Sequence, residues 1–278
     1  MIRRSPSSTW ILYGSLTVLS VVWLMPVLST LMTSIRPLAE IRGGWWNFDD
    51  ATFTFDNYVR AWRQGLRSFA VNSFVITLGS VAVTVTLGSL AAYAFVHLTF
   101  RFQRLWFFLL ITTMIVPVQL ILIPLLPWFR SLGLDNGPRQ LVGIILVHTG
   151  FGAGWAVFML TSFFAAIPRD MLEAGQIDGA THWDQFRRLV LPLALPGIVS
   201  FAIIDFIFVW NDLLLALTLL GRDYQPIQVG LANLQSPHLA QHDLVSAGAI
   251  LAILPPLILF AVLNRYYVRG LFAGSVKG

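Results

Sequence analysis

The sequence contains no cysteine. Disulfides, thiolate metal sites and cysteine nucleophiles are therefore excluded. Charge is scarce. Asp, Glu, Lys and Arg make up 11% of the 278 residues, against about 25% in an ordinary soluble domain. Lysine is almost missing: of 18 basic residues one is Lys277 and the other 17 are arginine. A Gly-x-x-x-x-Gly-Lys-Ser/Thr phosphate loop needs a lysine followed by a hydroxyl, and Lys277 is followed by Gly278, so this route to ATP binding is closed. The arginines are scattered between apolar runs and line no single face, so the net charge of +5 reads as a basic membrane flank. No nucleic-acid surface is expected.

What fills the chain instead is apolar: 56% of residues are hydrophobic, with 21 Phe and 10 Trp. Aromatics in this number suit the boundary between headgroups and hydrocarbon. A membrane span needs roughly 20 apolar residues, and six stretches qualify: about Trp10–Ile35, Val71–His97, Leu105–Phe129, Gln140–Ala166, Leu193–Leu220 and Leu244–Tyr267. Backbone in lipid must satisfy its own hydrogen bonds, so these are helices, and the expected fold is all-α. The first run follows Arg3 and Arg4 but is too long for a signal-peptide core, which makes it a retained first helix. Prolines interrupt the third run (Pro117, Pro124, Pro127) and the sixth (Pro255, Pro256), where each removes a donor and favours a kink. Such kinks serve packing or a bending path equally well.

Six spans put both termini on one side of the membrane. That side collects ten basic residues, including Arg187, Arg188, Arg265 and Lys277, against eight on the other, five of them in the first loop. The bias is slight by raw count; with the long first loop discounted it favours the termini and the 167–192 loop inside the cell.

That loop is the most polar stretch of the chain. Pro168 to Asp178 suits a short helix with a nearly bare face at Glu173, Ala174 and Gly175, and Gly179 is placed to end it, followed by Ala180. Thr181 suits the N-cap of a second helix with Asp184 in its first turn, and Pro192 is expected to close that helix before the fifth span. The spacing describes two short helices around a glycine elbow. An ordinary interfacial loop and a docking element for another protein remain equal readings of this pattern.

Polar residues inside the spans are the other anomaly. Asp205 lies about twelve residues into the fifth span and His148 about eight from the opposite end of the fourth. At about 1.5 Å per residue they share a depth in the membrane. A charge there costs at least ~2.5 kcal/mol, so they are expected to face each other or a common cavity. The alternative is separate bonding to Ser, Thr or a partner helix. Trp210, Asn211 and Asp212 follow nearer the outer end, where they suit either a sugar pathway or a bond between helices. His238 and His242 share a helical spacing but lack further ligands, so no metal site is expected.

The elbow resembles the cytoplasmic signature of bacterial ABC importer permeases, which reads Glu-Ala-Ala, three residues, Gly, nine residues, Ile, one residue, Leu-Pro. Glu173, Ala174, Gly179, Leu191 and Pro192 match it; Gly175 replaces the second alanine and Leu189 the isoleucine. Asn72-Ser73, the Ala91 to Phe95 run, Met114 to Pro117, Gly133-Leu134, Trp210-Asn211 and the ending GLFAGSVKG are similar to the sugar-importer branch. From about residue 68 onward the chain looks like the maltose-type permease with six spans. The resemblance implies a type I ABC importer permease in the cell membrane, built from a first helix and outer loop (residues 1–67), a permease core (68–267) and a cytoplasmic tail (268–278). It implies no enzyme chemistry and no cofactor of its own. ATP would be bound by two copies of a separate ATPase that receive the elbow, from Glu173 through Asp178 to Pro192. It further implies a second, non-identical permease and an extracytoplasmic sugar-binding protein, and a tail that reaches the ATPases. His148, Asp205, Trp210, Asn211 and Asp212 become candidate pathway residues. A self-sufficient secondary transporter would instead need ionisable groups paired across an internal repeat, for which Asp205 with His148 is thin material. An intramembrane enzyme would need a nucleophile beside them.

Overall fold

The computed structural model describes residues 6–49, 51–234 and 241–273. Every regular element among them is helical. In chain order they are α1 (Pro6–Ser34), α2 (Leu38–Ile41), α3 (Asp56–Ala61), α4 (Arg67–His97), α5 (Gln103–Thr113), α6 (Val118–Ser131), α7 (Arg139–Ala165), α8 (Arg169–Ile177), α9 (His182–Gln185), α10 (Leu191–Leu193), α11 (Leu195–Trp210), α12 (Leu214–Leu219), α13 (Ile227–Leu234) and α14 (His242–Ala273). Four helices are long and apolar enough to cross a membrane, or up to six if two bent pairs each count as one span.

The bent pairs refine the sequence reading. Pro117 opens α6 and Val116 before it cannot stay helical, so the third span breaks and α5 and α6 meet at 100°. Pro124 and Pro127 lie inside α6 without ending it, and α14 runs through Pro255 and Pro256 as one helix. The second pair turns by 74° at Ala194. Its first limb is the polar elbow, so the membrane part of the fifth span begins with α11. That span does not continue unbroken to Leu220: α11 ends at Trp210 and α12 starts at Leu214. The connector after it contains α13, which buries Ile227 and Val229. At the C-terminal end α14 reaches Ala273, past the start of the expected tail; Lys277 lies outside the described residues.

The contacts group the chain into two units, Met1–Arg67 with Gly230–Leu254, and Ser68–Val229 with Pro255–Gly278. In the first unit α1 buries none of its apolar window against the rest of the chain, so its whole circumference is left to lipid or to another chain. The loop behind it is built on Arg36, only 1% exposed. Its guanidinium donates to the carbonyls of Trp45 (3.3 Å) and Asn47 (2.7 Å) and to Glu40, and lies 5.6 Å from the centre of the Phe48 ring. Asn57 donates to the carbonyls of Ser34 (3.0 Å) and Arg36 (2.9 Å), tying α3 to the end of α1. Arg60 pairs with the buried Asp243 at 3.4 Å and ties α3 to the start of α14.

Glu40 accepts from the hydroxyl and backbone N–H of Thr52. These bonds, with Arg36 beside them, hold its carboxyl below the ordinary value of 4.5. A folded-state value below the unfolded one means that the contribution to stability is present above pH 4.5 and is lost as pH falls through the folded value. Hydrogen exchange at the Thr52 amide is expected to quicken below pH 4.5, and Thr52→Val is expected to bring that quickening to higher pH.

The second unit packs α4, α7 and α11 together. α4 and α7 run side by side in the same direction: the Cα of Gly79 faces Ile145, and that of Gly88 faces Ala156. A Cβ on Gly88 would fall 2.3 Å from that of Ala156, so this crossing needs glycine. α11 runs antiparallel to α7, with Gly197 against Phe163 and Asp205 against Gly152. One apolar core holds the end of these helices next to the 167–192 elbow, around Tyr93, Leu160, Phe164, Phe186 and Val190. Another holds the opposite end around Ile76, Phe129, Ile144 and Leu219.

Candidate coupling elbow and intramembrane polar cluster

α8 carries the first limb of the elbow. Leu172 is its buried anchor, while Glu173, Ala174 and Asp178 are exposed. Gly179 then takes the left-handed conformation (φ 83°), which a side chain resists, and turns the chain. Thr181 caps α9 in a reciprocal box: its Oγ accepts from the Asp184 N–H at 3.2 Å while Asp184 accepts from the Thr181 N–H and, at 2.5 Å, from its hydroxyl. These bonds hold the Asp184 carboxyl below the usual range. From there the chain stays helical through a π-turn at Phe186–Val190 into α10. Pro192 therefore does not close the second limb as the sequence suggested; it sits within the helical run as the second residue of α10, and the bend falls at Ala194.

Gly175 faces inward. A Cβ there would meet Leu189 Cδ1 at 3.2 Å and Ala180 at 3.9 Å, so the departure from the family's alanine lies between the two limbs of the elbow and away from its outer face. Leu191 is half-buried and Pro192 exposed. The outer face also carries apolar side chains that sequence reasoning passed over: Met171, Trp183 and Ile177, the last 87% exposed. Their signal was readable as large hydrophobics inside a polar loop. Gln185 and Tyr93, which hold the second limb, had no such signal.

Two substitutions separate the local roles of the glycines. Gly175→Ala is expected to stabilise the elbow by about 0.5–1 kcal/mol, the helix preference for alanine, since the flexible end of Leu189 can give way. Gly179→Ala is expected to destabilise it by about 1–2 kcal/mol. Thermal unfolding of the purified protein in detergent reads both signs.

The intramembrane cluster lies in the same unit. Asp205 is buried, its Oδ1 beside Gly152 and Thr84. His148, buried one turn along α7, is within electrostatic reach of Asp205, and its Nε2 stands 3.6 Å from Asp212 Oδ2. The hydroxyls of Thr77, Ser80 and Thr84, both His148 nitrogens and Asp205 Oδ2 have no hydrogen-bond partner among the described residues. The three hydroxyls lie on one face of α4. His148, Asp205 and Asp212 are thus brought together. Asp212 caps α12, accepting from the Leu215 and Ala216 N–H groups at 3.2 and 3.0 Å. Asn211 is exposed; its amide donates to the Ile207 carbonyl at 2.8 Å and accepts from Gln228 at 3.2 Å.

Trp210 is placed otherwise. It is 1% exposed, stacked on Phe206 and met edge-on by Phe74, so its ring lines no open surface of the chain. Among the described residues no group of three or more His, Cys, Asp or Glu is placed to hold a metal ion; His238 lies outside them.

Comparison with known proteins bears on what this arrangement does. The chain is 36% identical over 265 residues to the osmoprotective compounds uptake permease protein GgtD of Synechocystis, covering 92% of this chain and 88% of that one. It is 36% identical over 260 residues to the trehalose transport system permease protein SugB of Mycobacterium tuberculosis, covering 92% and 93%. Its fold matches a chain from the crystal structure of a bacterial ABC transporter involved in the import of the acidic polysaccharide alginate, with a TM-score of 0.83 at 22% identity over 96% of this chain and all of that one. Residues 84–273, from mid-α4 through α14, match the model of the binding-protein-dependent transport system inner membrane component. With the six-span helical fold and the polar elbow between its spans, the chain belongs to that family: it is an ABC importer permease.

Proposed function

We propose that this permease imports a carbohydrate or a related polyol, forming half of the pathway and drawing its energy from a separate ATPase through the elbow around Glu173. The carrying observation is the elbow's outer face: Glu173 and Asp178 beside exposed Met171, Ile177 and Trp183 on a capped, two-limbed turn. A charged rim around apolar anchors suits a protein partner. The resemblance of Glu173, Gly179 and Leu191-Pro192 to the family signature makes that partner an ATPase, present in two copies. The chain itself would perform no enzyme chemistry and bind no cofactor.

The substrate class is supported by the relatives, two of which carry osmoprotective compounds and trehalose by name. In this reading a second, non-identical permease supplies the other half of the pathway and a binding protein delivers the sugar outside. Both termini and the elbow lie in the cytoplasm. Exposed Asn211 and half-buried Asp212 are the polar groups of this chain offered to the pathway at the break in the fifth span, with His148 and Asp205 behind them.

The test is purification of the tagged chain from its own cells in mild detergent. An ATPase and a second permease are expected to co-purify, with ATP hydrolysis raised by the sugar-loaded binding protein. Purification of the chain alone, with uptake persisting when that ATPase is deleted, would establish a secondary transporter instead.

A further inference from the structure

Beyond the elbow's outer face, something must carry its motion into the membrane. Its inner face holds a small set of bonds for this. Gln185 is 1% exposed at the end of α9. Its amide donates to the carbonyl of Leu172 in α8 at 3.1 Å, bolting the two limbs of the elbow together. Its Oε1 accepts from the hydroxyl of Tyr93 at 3.4 Å. Tyr93, itself 5% exposed, belongs to the last turns of α4, a membrane span 92 residues away in sequence. The same hydroxyl lies 3.5 Å from His182 Nδ1 in the first turn of α9. The Tyr93 ring packs edge-on against Phe186 at 5.2 Å and against His97 at 5.1 Å, and Phe186 carries the exposed Trp183 at 5.6 Å.

We infer that Tyr93 and Gln185 are the positioning residues that couple the elbow to the second membrane span, so that displacement of the outer face by a partner moves α4. The inference rests on the reading of the elbow as an ATPase dock. The physical case is one of stiffness. Both limbs and the span share one buried acceptor–donor chain, Leu172 carbonyl to Gln185 amide to Tyr93 hydroxyl, and the aromatic rings fill the space around it. A buried amide satisfied at both ends cannot slide along either neighbour without leaving a polar atom unpaired. From Tyr93 the rigid helix α4 leads to Ser80 and Thr84, level with His148 and Asp205, so the coupled span is one wall of the polar cluster.

The experiment uses the assembled transporter in proteoliposomes and compares ATP hydrolysed per substrate imported for wild type, Tyr93→Phe and Gln185→Leu. Tyr93→Phe removes one hydroxyl and keeps the ring packing, which guards against simple unfolding. An ordinary buried hydrogen bond is worth about a fivefold shift in an equilibrium. Each variant is expected to co-purify its ATPase in the wild-type ratio while the ATP used per substrate rises by about that fivefold factor. Gln185→Glu, which keeps the acceptor for Tyr93, is expected to recover part of the loss that Gln185→Leu shows. An unchanged ratio of ATP to substrate in Tyr93→Phe would overturn the inference with the dock left standing. Failure of any ATPase to co-purify with wild type would overturn both.

Discussion

Exchange of Glu173 for lysine is expected to lower ATP-driven uptake by more than about tenfold and to leave the fold of the subunit unchanged, because a charge-assisted contact is worth about 1.5–3 kcal/mol and reversal of its sign turns that gain into repulsion. Glu173 is exposed near the middle of α8, away from both helix ends, and makes no ion pair among the described residues. A substitution at such a position changes folding stability by only about 0.5 kcal/mol. The effect on transport therefore has to come from outside the chain. Two measurements check it: uptake of labelled sugar into cells, and the melting temperature of the detergent-purified subunit. Uptake at the wild-type level would sink the docking of the elbow on an ATPase. A parallel collapse of melting temperature and uptake would assign Glu173 to the fold instead.

The apolar neighbours sharpen this. Met171, Ile177 and Trp183 stand exposed on the same polar loop, which the proposed function places in water. Large hydrophobics left there on a capped, rigid turn are anchors without their pocket. Glutamate alone would give orientation and salt sensitivity; the anchors supply the desolvated area that affinity needs.

The elbow was legible before any coordinates because its determinants are local. Gly179 is a left-handed turn residue, Thr181 and Asp184 form a cap within one turn, and Phe186, Leu189 and Val190 fall at helical spacing. The spans were legible because lipid demands length and apolarity, which hydropathy counts. The break in the fifth span was not, since apolar residues continue on both sides of Asn211–Leu213 and only the polar pair hints at it. Trp210 misleads for a related reason. Whether a tryptophan at a helix end is open or covered depends on Phe74, which stands 136 positions earlier on another span (210 − 74). Gln185 escaped notice altogether, because an amide in a polar loop carries no sign that it will be the buried bolt between three elements; Tyr93 stood out only as part of the Ala91 to Phe95 run, with nothing in it pointing to Gln185. The meeting of His148 with Asp205 followed from depth alone, but the third member, Asp212, depends on the bend that hydropathy hides.

That trio gives the other large effect. His148 is the cation-capable neighbour of two carboxylates, 3.6 Å from Asp212 and within electrostatic reach of Asp205. The two acids are not equivalent. Asp212 is spread over the N-terminal amides of α12 and partly open to solvent, so it keeps support when the imidazole is removed. Asp205 is 5% exposed, with Oδ2 lacking a hydrogen-bond partner among the described residues and Oδ1 close to Gly152. Removing the imidazole strands that carboxylate in the membrane, and an uncompensated buried charge costs about 3–5 kcal/mol. His148→Leu is therefore expected to lower stability by about this amount, whereas Asp205→Asn, which removes the charge and keeps the shape, is expected to cost less than about 1 kcal/mol or to stabilise. The double variant His148→Leu/Asp205→Asn is expected to recover most of the loss, giving a coupling energy of at least about 2 kcal/mol in the cycle. Unfolding of the three variants in detergent measures the coupling directly. Additive losses would show that His148 and Asp205 are separate buried polar groups. Recovered stability without recovered uptake would show instead that the pair, beyond holding α7 to α11, takes part in the movement of the substrate past the break at Asn211.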